Sequence, residues 1–253
     1  MTLVGRRMTF QDRGRAQTGS ASIQQPGYWW YRARTQLLEV ALGDYLGSPR
    51  QLLDVGSADG PSVAWMRGDH RRTAIDVDPR GLKPGEGVCA SALALPFGDA
   101  TFDVVGAFDV LEHCEPESQA LTELTRVLQP GGRLLMSVPA YAWAWSDHDE
   151  QAGHYRRYTR KRLVRAIEGS GLVVDRATYG FGGVFPFFVA ERLKRRISKP
   201  APVSEKQLPR VSAGMDRVLM GLTRAEAKVL RRRDLPFGSS VFLAATKPVP
   251  TAD

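Results

Sequence analysis

The sequence predicts a three-layer α/β/α fold, with helices on both faces of a mainly parallel sheet. Three observations predict it. Short apolar runs alternate with helical patterns from about residue 50 onward. Small residues crowd the turn after the first run, at Gly56, Ala58 and Gly60. A carboxylate, Asp76, ends the second run, 20 residues beyond Gly56. Strand and helix in alternation give parallel strands joined by crossover helices. Ligands of such sheets bind at the carboxyl ends of the strands.

The elements follow in order. Residues 1–26 are polar, rich in Gly, Gln and Ser, and lack periodicity, so a mobile lead-in is expected. A helical pattern follows Tyr28-Trp29-Trp30-Tyr31, with Leu37, Leu38, Ala41 and Leu42 on one face. Gln51–Val55 is the first strand, Pro61–Met66 starts a helix, and Thr73–Val77, Gly87–Ala90 and Phe102–Phe108 are strands two to four. An amphipathic helix over Pro116–Leu128 is closed by Gln129-Pro130-Gly131-Gly132, a helix stop and turn. Arg133–Val138 is the fifth strand, Thr159 caps a helix to about Gly169, and Leu172–Ala177 and Ser240–Thr246 complete a seven-stranded sheet. A core domain is therefore expected over 27–180 and 238–253, interrupted by a helical insertion at 181–237 before the last strand.

Composition bounds the function. At 43% hydrophobic and 25% charged, the 253 residues suit a globular fold. Cys89 and Cys114 make neither a disulfide framework nor a metal-type spacing, so a cytoplasmic protein is expected. No signal-peptide core and no apolar run of the ~20 residues needed to span a bilayer is seen. Residues 180–253 carry 14 Lys/Arg against 6 Asp/Glu, which is the entire net charge of +8. There, Val184–Ala190 is aromatic and apolar and is followed by Arg192, Lys194, Arg195 and Arg196. This is either a helical cover with a solvated basic face or, through 184–196, a peripheral contact with an anionic membrane. No nucleic-acid recognition module is present, so nucleic acid is not an expected partner.

The chemistry begins at Asp54-Val55-Gly56-Ser57-Ala58-Asp59-Gly60. A sharp strand-to-helix turn needs small residues where backbone approaches a ligand, and its amides can then bind polar groups. At the end of the next strand, Asp76 can accept hydrogen bonds from both hydroxyls of a ribose. A nicotinamide oxidoreductase would use G-x-G-x-x-G, and here the third small residue comes one position early. A non-catalytic cofactor-binding module is the other alternative.

These segments, with Ala74-Ile75-Asp76-Val77-Asp78, Ala94-Leu95-Pro96-Phe97, Phe102-Asp103-Val104-Val105, Asp109-Val110-Leu111-Glu112-His113 and Arg126–Leu134, resemble the class I S-adenosylmethionine-dependent methyltransferases, in particular the type-11-like small-molecule branch. The resemblance covers about residues 50–140 and implies a Rossmann-like methyltransferase fold. It implies that Asp54, Gly56, Ser57, Ala58 and Gly60 surround the methionine end of S-adenosyl-L-methionine. It further implies that Asp76 binds ribose with Val77 against adenine, that Ser91 and Ala92 sit at the adenine edge, and that Asp109 begins the loop near the methionine moiety. Two positions depart from the family: Ala58 and Ser91 stand where glycine and aspartate are common. Tyr28–Arg34 and Val138–Thr159 also resemble bacterial methyltransferases found alongside glycosyltransferases in glycan and lipid-glycan pathways.

The loop after strand five leaves the same edge, so His148, His154, Arg156, Arg157 and Tyr158 are expected to shape the acceptor site. A hydroxyl acceptor calls for a general base, for which His113, His148 and His154 are the candidates. His113 can instead orient the loop after strand four. Asp147, His148, Asp149 and His154 match no compact metal motif, and no metal is expected. Trp29, Trp30, Trp143 and Trp145 are expected to pack or to form a lid, with direct contact to the acceptor as the alternative.

Overall fold

The structure, a computed structural model, describes residues 27–56, 61–79, 82, 87–197 and 211–250, and of residues 61, 62 and 195–197 the backbone alone. Its strands are β1 (Gln51–Val55), β2 (Arg71–Asp76), β3 (Gly87–Cys89), β4 (Phe102–Phe108), β5 (Leu128–Pro139), β6 (Val173–Gly180) and β7 (Ser240–Thr246). The helices are α1 (Trp29–Leu46), α2 (Glu117–Val127), α3 (Asp147–Ala152), α4 (Arg160–Glu168), α5 (Phe185–Ile197) and α6 (Ala213–Leu230). One sheet holds all seven strands in the order β3-β2-β1-β4-β5-β7-β6, with β7 antiparallel to both neighbours. The expected α/β/α architecture is what forms.

Two apolar clusters fill its two faces. On one, Leu53, Val105, Leu134 and Met136 of the strands meet Leu121 and Leu124 of α2 and Leu163 of α4. On the other, Leu52, Val104, Leu135 and Phe242 meet Leu37, Leu38 and Leu42 of α1 and Leu219 and Leu230 of α6. Alternate strand residues point to opposite faces, which is why neighbours such as Leu52 and Leu53 join different clusters.

One expected turn is part of a strand. Leu128 already pairs with Phe102, and the register slips before Arg133 pairs with Val104. Gly131 takes φ +78° inside this slip, and its N–H donates to the Lys247 carbonyl at 2.8 Å. Gln129–Gly132 is therefore a bulge that keeps the ladder going, because the backbone donor freed by the kink finds a partner on the chain after β7. The Lys247 ammonium also donates to the carbonyls of Thr125 and Leu128, closing the end of α2. Arg126, on the last turn of α2, donates to the carbonyls of Leu95 and Phe97 and fixes the loop that leads into β4. Pro61–Met66 is a 3-10 helix rather than an α-helical start.

The carboxyl ends of β1, β2, β4, β5 and β6 lie along one edge of the sheet, where β7 begins. At that edge the backbone after β6 passes against the backbone before β7. A Cβ on Gly238 would fall 2.1 Å from the Gly180 carbonyl oxygen, so no side chain fits. A cleft of about 510 Å³ opens at the opposite edge, around Gly47, Arg50 and Asp103. Its carboxylate is committed to fold: Asp103 accepts from the backbone amides of Arg50 and Gln51, both at 2.8 Å.

Gly238→Ala is expected to cost about 1–3 kcal/mol in urea unfolding, since backbone has to move. Gly214→Ala, in α6 with open space around it, is expected to stabilise by about 0.5–1 kcal/mol.

Candidate active site

β1 leaves the sheet through Gly56, whose φ of +71° and surroundings both demand glycine: a Cβ there would lie 2.5 Å from Val110 Cγ2. Beneath this turn Asp54 is buried and ion-paired with Arg72 of β2, whose Nε also donates to it at 3.1 Å. Its carboxylate thus ties β1 to β2 at the root of the turn. Ser57, Ala58 and Gly60 lie outside the described residues.

At the end of β2, Asp76 is half-buried and accepts from the Asp78 amide at 2.8 Å. Burial pushes its carboxyl above the usual value, with the nearby Asp78 charge adding to the effect against the amide bonds. Val77 beside it is 62% exposed, an apolar surface open to a flat ring. Beyond β3, Ala92 is buried, and the Ser91 hydroxyl accepts from the Leu93 amide at 3.2 Å, so it is already engaged in a local turn.

Asp109, just after β4, has φ +57°. A left-handed residue costs about 1–2 kcal/mol unless neighbours fix it, and here they do. Arg34 of α1 pairs with its carboxylate at 2.9 Å, the Ser137 hydroxyl donates to it at 3.0 Å, and its own N–H donates to the Ser137 carbonyl at 2.9 Å. Arg34 is itself 3% exposed and donates to Ser137 Oγ at 2.8 Å, with Trp30 against its guanidinium. Its Nη1 is buried and has no hydrogen-bond partner among the described residues. Tyr141 and Phe181, after β5 and β6, are also left-handed, so three strained residues gather along this one edge.

The histidines converge beside Asp109. The His113 and His154 rings meet edge to face at 4.6 Å, and His148 lies 6.4 Å from His154. Asp149 of α3 is fully buried and fixes His154 through Nδ1 at 2.8 Å, leaving the other ring nitrogen free of that bond. Arg157 holds Asp149 in turn, with Nε and Nη2 at 2.7 and 3.1 Å. Burial alone would raise the Asp149 carboxyl, but these partners outweigh it and hold it well below the carboxylate range. Partial burial lowers His148, and partial burial together with the neighbouring His154 lowers His113, one side of which still reaches solvent, favouring neutral imidazoles with a lone pair to offer. Near His113 and His154, Glu112 is fully buried, and neither carboxyl oxygen has a hydrogen-bond partner among the described residues. Burial, then the charge of Asp109, push that carboxyl well up.

Not every expected acceptor residue faces the edge. Tyr158 is wholly buried and donates to Glu117 at 2.7 Å, Arg157 serves Asp149, and Arg156 pairs with Glu115. Tyr141, Trp143, Phe185 and Phe188 form a stacked aromatic shelf beyond them, while Trp30 stacks on Phe181. No helix among the described residues is long and apolar enough to cross a membrane.

Residues 53–136 match the type-11 family described as a methyltransferase domain. An uncharacterized methyltransferase of Mycobacterium leprae is 32% identical over 166 residues, covering 56% of this chain and 62% of its own. An O-methyltransferase of Aspergillus nomiae is 32% identical over 135 residues, covering 44% and 60%. The chain thus spans about three-fifths of the length of these curated relatives. The 1,6-didemethyltoxoflavin N1-methyltransferase of Burkholderia thailandensis, solved with 1,6-didemethyltoxoflavin and S-adenosylhomocysteine, aligns at TM-score 0.53 and 18% identity over 90% of this chain and 84% of that one. Phosphoethanolamine N-methyltransferase 2 of Haemonchus contortus, in complex with S-adenosyl-L-methionine, aligns at 0.54 and 17% identity, over 90% and 57%. The likeness to a methyltransferase domain thus covers residues 53–136, about a third of the chain.

The matched part of the methyltransferase domain runs from β1 to β5, so it holds Asp76, Asp109, Glu112 and His113. Arg34, His148 and His154 reach the edge from outside it. Arg34 and Glu112 are the residues that sequence reasoning missed. A signal for Arg34 existed: it shares its helix face with Leu37, Leu38 and Ala41, at the spacing of core residues. A charge on such a face needs a buried partner. For Glu112, partner and burial come only with the fold.

Arg157→Ala removes a guanidinium that gives two hydrogen bonds to the buried Asp149, leaving those from His154 and Ser146. We expect a loss of about 3–5 kcal/mol in urea unfolding, against under about 0.5 kcal/mol for the exposed Arg224→Ala.

Proposed function

We propose that the chain binds S-adenosyl-L-methionine at the carboxyl edge of β1, β2 and β4 and transfers its methyl group to a small-molecule, glycan or lipid-linked acceptor. The observation that carries this is Arg34: a buried cation with one unsatisfied nitrogen at the edge where Gly56, Asp76 and Asp109 also arrive. A buried donor without a partner is costly, and an α-carboxylate is the anion that would satisfy it. Asp76 would take the ribose hydroxyls, Val77 and Ala92 the adenine, and Asp109 the amino group. The expected roles of Asp54 and Ser91 shift in this reading. Asp54 supports the turn through Arg72, and Ser91 shapes the adenine edge through its own turn.

When bound, the cofactor supplies a methyl group already activated by a sulfonium. The chain's contribution is then alignment, which is worth about 7–11 kcal/mol when geometry is well fixed. The left-handed Asp109 and the fixed Asp149–His154 pair hold two sides of that alignment rigid. His113, His148 and His154 line the acceptor side, and the aromatic shelf of Tyr141, Trp143 and Phe185 offers flat apolar surface to a sugar or lipid-linked acceptor.

A specific observation supports delivery at a membrane surface. Within α5, Phe187 is 61% and Leu193 50% exposed, next to Arg192 and Lys194. Arg195 and Arg196 lie outside the residues whose side chains are described. Flotation with anionic vesicles tests this: the full chain should float and Phe187→Ser should float less. Absence from the lipid fraction at any salt concentration sinks it.

For the donor, calorimetry of Asp76→Asn should show S-adenosylmethionine affinity falling by about tenfold or more, since charge-assisted hydrogen bonds are worth roughly 1.5–3 kcal/mol. Because burial raises the Asp76 carboxyl, affinity in the parent chain should fade on acidification earlier than an ordinary aspartate would allow, and Asp76→Asn should lack that dependence. Unchanged affinity in Asp76→Asn refutes the ribose assignment. Incubation of cell extract with isotopically labelled methyl donor should yield a labelled acceptor by mass spectrometry.

A further inference from the structure

The carboxylate of Glu112 and the imidazoles of His113 and His154 place one donor atom each within 4.8 Å of one another. Bonds of about 2.0–2.2 Å from a cation to such donors bring them to roughly 3–3.5 Å apart, so a movement of about an ångström closes the set. Two independent features point to a ligand at this spot. Glu112 is 0% exposed, and neither of its oxygens has a hydrogen-bond partner among the described residues. His154 is oriented from behind: Asp149 bonds its Nδ1 at 2.8 Å and is itself held by Arg157. Histidine metal ligands carry this kind of support, from a carboxylate or a carbonyl on the ring's second nitrogen.

We propose that Glu112, His113 and His154 bind one divalent cation at the acceptor side of Asp109, and that the cation takes an oxygen of the acceptor as a further ligand. Two imidazoles and one carboxylate suit a borderline cation such as Zn²⁺ or Co²⁺ better than Mg²⁺, which prefers oxygen donors and keeps its waters. Three protein ligands leave coordination positions open, as in catalytic rather than structural centres. His113 is open to solvent, which gives the cation and an acceptor a route in. A hydroxyl bound there is acidified by the cation, so its O–H bond breaks with the electron pair staying on oxygen and the proton passing to water. The acceptor class so selected is an alcohol, phenol or vicinal diol. This deepens the methyltransferase reading and rests on it for the acceptor, while the cation site itself stands on the three side chains.

The test uses the full, tag-free chain stripped with a chelator and titrated with Zn²⁺, Co²⁺ and Mg²⁺ by calorimetry, with Co²⁺ absorption as a second readout. The expected result is one Zn²⁺ or Co²⁺ per chain, weaker Mg²⁺, and at least ~10-fold weaker Zn²⁺ binding in Glu112→Gln and in His154→Asn. His70→Asn, remote from the cluster, should bind like the parent. Near-ultraviolet circular dichroism checks that the variants are folded, and His154→Asn decides alone if Glu112→Gln is not. A stripped chain that takes up neither Zn²⁺ nor Co²⁺ at one per chain overturns the proposal, as do folded variants that bind like the parent. S-adenosylhomocysteine titrated in parallel keeps the two readings apart: its failure to bind removes the donor assignment and leaves the cation result as measured.

Discussion

The buried contact of Arg34 with Asp109 and Ser137 is the interaction on which the edge of the sheet depends. It joins α1, the end of β4 and the carboxyl end of β5, three elements far apart in sequence. A guanidinium taken out of water is costly unless paired, so α1 docks in one register only, with Leu37 and Leu38 following Arg34 into the core. The same contact holds Asp109 in a left-handed conformation that aspartate would otherwise leave. The strain stored there turns the chain sharply after β4, bringing Val110 over Gly56 and aiming Leu111–His113 toward α3.

From that turn the rest of the site follows. Asp109 sits between two groups of side chains of opposite character. Toward β1 and β2 lie Gly56, Asp76 and Val77, suited to a nucleoside with an amino-acid tail. Toward α3 lie Glu112, His113 and His154, with Asp149 and Arg157 stacked behind them. The first group needs shape and hydrogen bonds; the second presents lone pairs in a small volume. A methyl donor on one side and an oxygen acceptor on the other would meet above Asp109.

The sheet was legible in the sequence because its strands are short apolar runs bounded by glycine, proline and aspartate, a local signal. Gln51–Val55, Phe102–Phe108 and Ser240–Thr246 came out with their observed bounds. The bulge at Gln129–Gly132 did not, because Pro-Gly-Gly suits a turn and a bulge equally and only the Lys247 carbonyl decides. On the site, Asp76 could be proposed from its position at a strand end, and Asp109 only through the family resemblance. The pairings that give the site its character join residues distant along the chain: Arg34 with Asp109, and Glu112 and His113 with His154. No local pattern encodes them. A metal spacing within residues 147–154 could not show the Glu112–His113–His154 cluster, because two of its members lie on the loop after β4.

The central claim is that Arg34 completes the site by holding the carboxylate of the methyl donor. It is tested most directly by calorimetry on Arg34→Met with two ligands. S-adenosylhomocysteine carries the carboxylate, and 5′-methylthioadenosine lacks the amino-acid end while keeping the nucleoside. The account predicts that S-adenosylhomocysteine binding weakens by about tenfold or more in the variant, while 5′-methylthioadenosine binds both proteins alike. Equal affinity of S-adenosylhomocysteine for the two proteins, or an equal loss for both ligands, would contradict it.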